Sequence, residues 1–222
     1  MKLIIDDAHV DKIKELYEYY PVSGVTTNPS ILAKAGRDPY EVLKEIRDFI
    51  GPDGELHVQV LSTRAEEMVA EAARIREALG QNTYVKVPVT REGLKAIKLL
   101  AAQGCNVTAT AIYTQMQAYL AAEAGAKYAA PYVNRIDNLG ANGIAAAKDI
   151  HDIFKNNGLA TEVLAASFKN CQQVLELAKY GVGASTVSPD VMEALLKLDA
   201  VNAAVDQFRK DFEGLCGQGK TM

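Results

Sequence analysis

Short runs of β-branched and apolar residues alternate along this chain with longer stretches whose apolar positions recur every three or four residues. Eight runs read as strands: 3–6 (LIID), 24–27 (GVTT), 57–60 (HVQV), 83–87 (TYVKV), 106–113 (NVTATAIY), 127–133 (KYAAPYV), 161–167 (TEVLAAS) and 184–188 (ASTVS). Helical periodicity fills the intervals. In "VDKIKELYEYY", Val10, Ile13, Leu16 and Tyr17 share one face. Residues 63–79, 91–102, 115–124, 141–157, 169–179 and 190–198 behave similarly. Thr63 and Glu66 have the spacing of a capping box. Asn28-Pro29 and Ser188-Pro189 each set a capping side chain before a proline suited to the first helical position. A last helix, about 200–213, aligns Val201, Val205, Phe208 and Phe212 and follows the eighth unit, to pack either on the barrel or on a neighbouring subunit; the glycine-rich tail 214–222 reads as irregular.

Alternating strands and helices imply parallel strands with right-handed crossovers. Eight such units predict the α/β class and a compact (β/α)8 TIM barrel, one domain over residues 1–222 with an extra C-terminal helix. An open doubly wound sheet is the alternative, but no GxGxxG follows the first strand and there is no P-loop.

Composition narrows the function classes. With 222 residues, 49% of them hydrophobic, the chain has material for one large core. A net charge of −4 without a basic stripe gives no footprint for nucleic acid. No apolar run approaches the roughly 18 residues of a membrane helix, and the N-terminal apolar stretch is too short for a signal peptide. Cys105, Cys171 and Cys216 are scattered and odd in number, which argues for a reducing cytoplasm and against a disulfide framework. His9, His57 and His151 lack zinc or iron spacing and read as surface or core residues. Oxygen-ligated metals stay open.

Barrel enzymes carry their sites at the C-terminal ends of the strands. Those ends hold Asp6, Thr26 with Asn28, Gln59, Lys86, Thr110, Tyr132 with Arg135, Ser167 and Ser188. Each has a bland reading: Asn28 and Asp6 as helix caps, Gln59 as a backbone-satisfied strand residue, Thr110 as a strand former. Lys86 is the least easily dismissed. Strand parity puts Tyr84, Lys86 and Pro88 on the inner face, and Val85, Val87 and Val89 toward the helices. Its ammonium either snorkels to the rim or pairs with Asp6, or it is a desolvated amine with a lowered pKa, able to attack a carbonyl.

"GVTTNPSIL" (24–32), "YVKVPVT" (84–90), "AGAKYAAPYVNRID" (124–137) and "VLAASFKN" (163–170) together resemble the transaldolase superfamily, and within it the small fructose-6-phosphate aldolases. The resemblance runs over nearly the whole chain. It implies a (β/α)8 barrel, no metal, no cofactor, and a class I mechanism in which Lys86 forms the Schiff base. By the same resemblance Asp6 contacts hydroxyls of the ketose, and Thr26 and Asn28 lie near the dihydroxyacetone unit. Arg135 and Ser167 take the phosphate, which suits the arginine fork. Gln59, Thr110 and Tyr132 hold a catalytic water. True transaldolases usually carry Glu and Phe where Gln59 and Tyr132 stand, so these two place the chain on the aldolase side. "NVTATAIYT" (106–114) departs from the usual aldolase wording and leaves acceptor preference open.

The implied reaction is reversible cleavage of fructose 6-phosphate into dihydroxyacetone and glyceraldehyde 3-phosphate. The alternatives are a transaldolase, a non-catalytic sugar-phosphate-binding barrel and a metal-dependent aldolase. The resemblance also implies a homo-oligomer, a ring of five or a stacked decamer, with the 200–213 helix as a swapped contact.

Overall fold

The computed structural model describes residues 1–222. Eight parallel strands close in sequence order: β1 (Lys2–Asp6), β2 (Gly24–Thr26), β3 (Glu55–Gln59), β4 (Tyr84–Pro88), β5 (Val107–Ile112), β6 (Tyr128–Pro131), β7 (Glu162–Ala165) and β8 (Ala184–Val187). β8 pairs with β1, Ile4 opposite Thr186, so the barrel has no free edge. The helices are α1 (Val10–Tyr19), α2 (Pro29–Ala35), α3 (Pro39–Ile50), α4 (Ala65–Leu79), α5 (Arg91–Ala102) and α6 (Gln115–Glu123). They continue with α7 (Val133–Asn138), α8 (Gly143–Asn156), α9 (Cys171–Tyr180), α10 (Pro189–Ala194) and α11 (Asp199–Cys216). No helix is long and apolar enough to cross a membrane. The (β/α)8 expectation therefore holds.

The main core lies between barrel and helices. Val85 and Val87 from β4 meet Ile97 and Leu100 from α5 there, all fully buried or nearly so. Truncating such a side chain to alanine costs about 2–5 kcal/mol. Close approach of α5 to β4 depends on Gly93, where a Cβ would fall 1.9 Å from the Pro88 carbonyl oxygen. Thr90 caps this helix, its hydroxyl accepting from the Gly93 N–H at 2.9 Å. The start of α5 is thereby fixed to the end of the strand that carries Lys86.

Several local expectations change. Thr63 does not cap α4: that helix begins at Ala65, and the Ala65 N–H is taken by Glu92 of the next helix. The capping box lies instead at Thr114 and Gln117. Ser188 makes no cap hydrogen bond and donates to Asp190 instead. The sixth strand stops at Pro131, since Tyr132 leads directly into α7. Helix α11 runs to Cys216, into the segment expected to be irregular.

The lower half of the barrel interior is filled by an aromatic and polar plug. His57 stacks on Tyr84, with ring centroids 4.5 Å apart, and both rings lean on Tyr128. The His57 Nδ1 bonds Thr108 Oγ1 at 2.9 Å, while Nε2 lies 3.5 Å from the Glu55 carboxylate without forming a hydrogen bond. Burial disfavours the imidazolium and pushes its pKa down to about 4, from an ordinary 6.5, despite the attraction of Glu55. The unfolded chain thus takes up a proton near pH 6.5 that the folded chain refuses until about pH 4. Stability from this group is fully present above pH 6.5 and is lost as pH falls toward 4, by up to about 3 kcal/mol. Urea midpoints measured across that window should fall, and His57→Phe, which keeps the stack, should flatten that part of the curve. Equal slopes in both proteins would contradict this assignment.

Candidate active site

A cavity of about 420 Å³ opens at the C-terminal ends of the strands, a volume suited to a small metabolite. Lys86 is its innermost cation. It is 6% exposed and faces inward from β4. Its Nζ donates to the Thr27 carbonyl at 2.7 Å, not to a carboxylate. Asp6 accepts instead from the Thr26 hydroxyl at 2.6 Å, and Thr26 Oγ1 lies 2.5 Å from Thr186 Oγ1. The direct Asp6–Lys86 ion pair considered from the sequence is therefore absent. The two groups still act through space. Burial lowers the Lys86 pKa and Asp6 opposes it. Burial raises that of Asp6, opposed by Lys86 and by the Thr26 hydroxyl.

Thr110 and Tyr132 meet across the opposite wall, with their hydroxyl oxygens 3.1 Å apart. A register shift in β5 falls at Thr110 and Ala111. Ala111 sits in the left-handed region at φ 57°, where the pairing with β6 slips between Ala109 and Ile112. Thr108 and Thr110 stay inside the barrel, while Ile112 turns out into the helix-side core. Tyr132 bridges to Ala166 just past the end of β6. Its ring is met edge-on by Tyr113 and face-on by Arg135, whose Cζ lies 4.5 Å from the ring centroid. Ser167 follows β7, also left-handed at φ 62°. Two non-glycine residues in this costly region, both at one mouth, fit the clustering of backbone strain at functional sites.

Asn28 answers to both of its readings. Its side chain caps α2 by accepting from the Ile31 N–H at 3.0 Å, and it lines the cavity. Arg135 and Ser167 line the cavity as well. Eight of the nine expected residues are thus gathered at one mouth. Gln59 is the exception. It pairs in register with Lys86 but lines a separate depression beside the mouth with Thr63, Pro88 and Thr90. It has no hydrogen bond to Thr110 or Tyr132, whose contact involves only each other.

Other lining residues were not expected. Lys34 and Ser30 come from α2, too short a helix to show in the periodicity. Thr186 comes from the inner face of β8, readable from strand parity. Asp7 and His9 also line the cavity, and His9 Nδ1 lies 2.8 Å from Asp7 Oδ1. His9, read from the sequence as a surface or core residue, is exposed and stands at this mouth; the Asp-x-His spacing straight after the first strand was the available signal. No group of three or more His, Cys, Asp or Glu side chains is arranged to hold a metal ion.

Comparison with known proteins agrees with this geometry. Residues 3–219 match the family described as transaldolase/fructose-6-phosphate aldolase. A probable transaldolase of Clostridium botulinum (strain Eklund 17B / Type B) is 40% identical over 215 residues, 97% of this chain and 99% of the relative. One from Symbiobacterium thermophilum is 41% identical over 218 residues, covering 98% and 100%. One from Caldicellulosiruptor saccharolyticus is 42% identical over 214 residues, covering 96% and 97%. Among solved structures, a mandelate oxidase superposes with a TM-score of 0.56 at 17% identity, over 95% of this chain and 69% of its own. That likeness is of fold alone.

Proposed function

This chain belongs to the transaldolase/fructose-6-phosphate aldolase family, and we propose that it acts as a class I aldolase cleaving fructose 6-phosphate reversibly. The observation that carries this reading is the buried amine of Lys86, free of a carboxylate partner and facing the same cavity as the Tyr132 phenol. Lys86 Nζ attacks C2, and the carbinolamine loses water to give the imine. As C3–C4 breaks, a base takes the C4 hydroxyl proton and glyceraldehyde 3-phosphate leaves. The bonding pair moves into the imine and forms an enamine, so the imine is itself the electron sink and no cofactor is required. A proton delivered to C3 regenerates the imine, and water then releases dihydroxyacetone.

We assign the proton traffic to Tyr132 and Thr110 with a held water, with Asp6 as the alternative base; Gln59, which the resemblance adds to this group, lines a separate depression beside the mouth. Thr26, Asn28 and Asp6 hold the dihydroxyacetone half, and Arg135 with Ser167 the phosphate. The three free cysteines suit a reducing cytoplasm.

A transaldolase is the second reading, favoured by the names of the relatives. In that case the enamine waits for an acceptor aldehyde. The test is release of dihydroxyacetone from fructose 6-phosphate with no acceptor present. We expect release. Strict dependence on an acceptor such as erythrose 4-phosphate would overturn the lyase reading.

The charge on Asp6 supplies a further check. It raises the Lys86 pKa against the effect of burial. Asp6→Asn should therefore move the acid limb of imine formation to lower pH, read from borohydride trapping of dihydroxyacetone at a series of pH values. A shift to higher pH would contradict the coupling.

We also propose a homo-oligomer built on α11. This helix has no buried residue, and its stripe of Val201, Val205 and Phe208 is exposed, Phe208 by 68%. Light scattering should show a multimer for the native chain and a smaller species for Phe208→Asp. A monomeric native chain would refute it.

A further inference from the structure

We infer that His9, held by Asp7, determines substrate specificity by binding a hydroxyl on the phosphorylated aldehyde half of the substrate. The inference rests on the aldolase reading above and extends it to residues that reading leaves unused.

Asp7 is only 8% exposed. Burying a carboxylate is costly unless its oxygens are paired. Its partners are the Ala8 N–H at 2.8 Å and the His9 ring at 2.8 Å, both on Oδ1. The contact sets the imidazole: Nδ1 faces Asp7, and Nε2 is left without a partner in that pair. His9 lines the cavity of Lys86 and precedes the first residue of α1. Capping that helix is not its use, since its side chain makes no cap hydrogen bond. A buried carboxylate therefore orients an imidazole at the mouth of the site, and capping of α1 does not account for it.

The place of His9 identifies what it would touch. Around the barrel, the strand ends run from β6 through β7 and β8 to β1. They bring Arg135, Ser167, Ser188 and His9 onto one arc of the mouth. A sugar phosphate joined to Lys86 at C2 and to Arg135 at its phosphate carries its remaining hydroxyls between those anchors. The hydroxyls of the aldehyde half lie nearest the mouth, at the level of a residue three positions beyond the end of β1. There Nε2, the ring nitrogen not engaged by Asp7, meets a hydroxyl. An aldehyde without that hydroxyl leaves the nitrogen without its substrate partner.

The test uses the full-length enzyme in the condensation direction, with dihydroxyacetone as donor. The acceptors are glyceraldehyde 3-phosphate and 3-oxopropyl phosphate, which differ by one hydroxyl. Wild type should favour the hydroxylated aldehyde, and His9→Ala should reduce the ratio of the two kcat/KM values by about fivefold to tenfold. His9→Gln, whose amide can bond the same hydroxyl, should recover part of the ratio. Asp7 is a positioning residue. Asp7→Asn should lower the ratio in wild type and add nothing in the His9→Ala background, as a double-mutant cycle reads directly. A ratio untouched by His9→Ala, or an Asp7→Asn effect that persists without His9, would overturn the inference while condensation itself leaves the aldolase reading standing. Failure of wild type to condense either aldehyde would overturn both.

Discussion

Replacing Lys86 with methionine is expected to lower kcat/KM for fructose 6-phosphate cleavage by at least about 10⁴-fold. The size of the effect follows from the chemistry. Without an amine there is no imine, and without the imine nothing accepts the electron pair released when C3–C4 breaks. The structure makes the substitution a fair one. Lys86 is almost wholly buried, and methionine occupies much of the same volume. The change removes one hydrogen bond, from Nζ to the Thr27 carbonyl, at about 1–3 kcal/mol if that oxygen is left bare. The variant should therefore remain folded by circular dichroism while cleavage disappears. Retention of more than a few per cent of the activity in a folded variant would mean that another group carries the reaction.

Tyr132→Phe is the second large effect. Loss of the phenol should cut acceptor-free release of dihydroxyacetone by about 10²–10³-fold, the range of a general acid. Transfer to erythrose 4-phosphate should fall less, because it needs no proton at C3 and, of the phenol's assigned steps, shares only the removal of the C4 hydroxyl proton, for which Asp6 is the alternative base. The ring is retained, so the Arg135 guanidinium above it and the Tyr113 edge keep their contact. Thr110 Oγ1 loses its 3.1 Å partner, a modest local cost. The measurement is the ratio of release to transfer, assayed on one enzyme preparation. Equal loss of both would place the phenol in a step the two reactions share, imine formation or C3–C4 cleavage, and would remove the basis for assigning the lyase branch to Tyr132.

Much of this could be read from the order of residues, for identifiable reasons. Period-two alternation in "TYVKV" put Lys86 inside and its flanking valines outside, because a strand admits only two faces. Eight β-branched runs separated by helical pattern left few topologies available. Asn28 was legible as a cap because Asn-Pro is a local signal that does not depend on the rest of the fold. What escaped depends on tertiary placement. The Thr27 carbonyl that receives Lys86 is a backbone atom with no side-chain signature. The slip in β5 rests on one residue, Ala111, whose identity gives no hint of a positive φ. Thr63 had the spacing of a cap, yet Glu92 from a different helix supplies the acceptor. The place of His9 at the mouth was not legible, because its contact with the carboxylate two residues away exists only once the chain leaves β1 for α1. Gln59 marks the converse limit. Its position in the motif groups it with Thr110 and Tyr132, whereas the cavity that holds those two is lined without it.

The central claim is that Lys86 is the nucleophile, and borohydride reduction in the presence of dihydroxyacetone tests it most directly. The reagent reduces the imine to a stable secondary amine, fixing the three-carbon unit to the lysine that formed it. Peptide mapping by mass spectrometry should find a single adduct per chain, on the peptide containing Lys86, and none in Lys86→Met. An adduct on Lys34 or Lys169, or no adduct at all in enzyme that cleaves fructose 6-phosphate, would contradict the account.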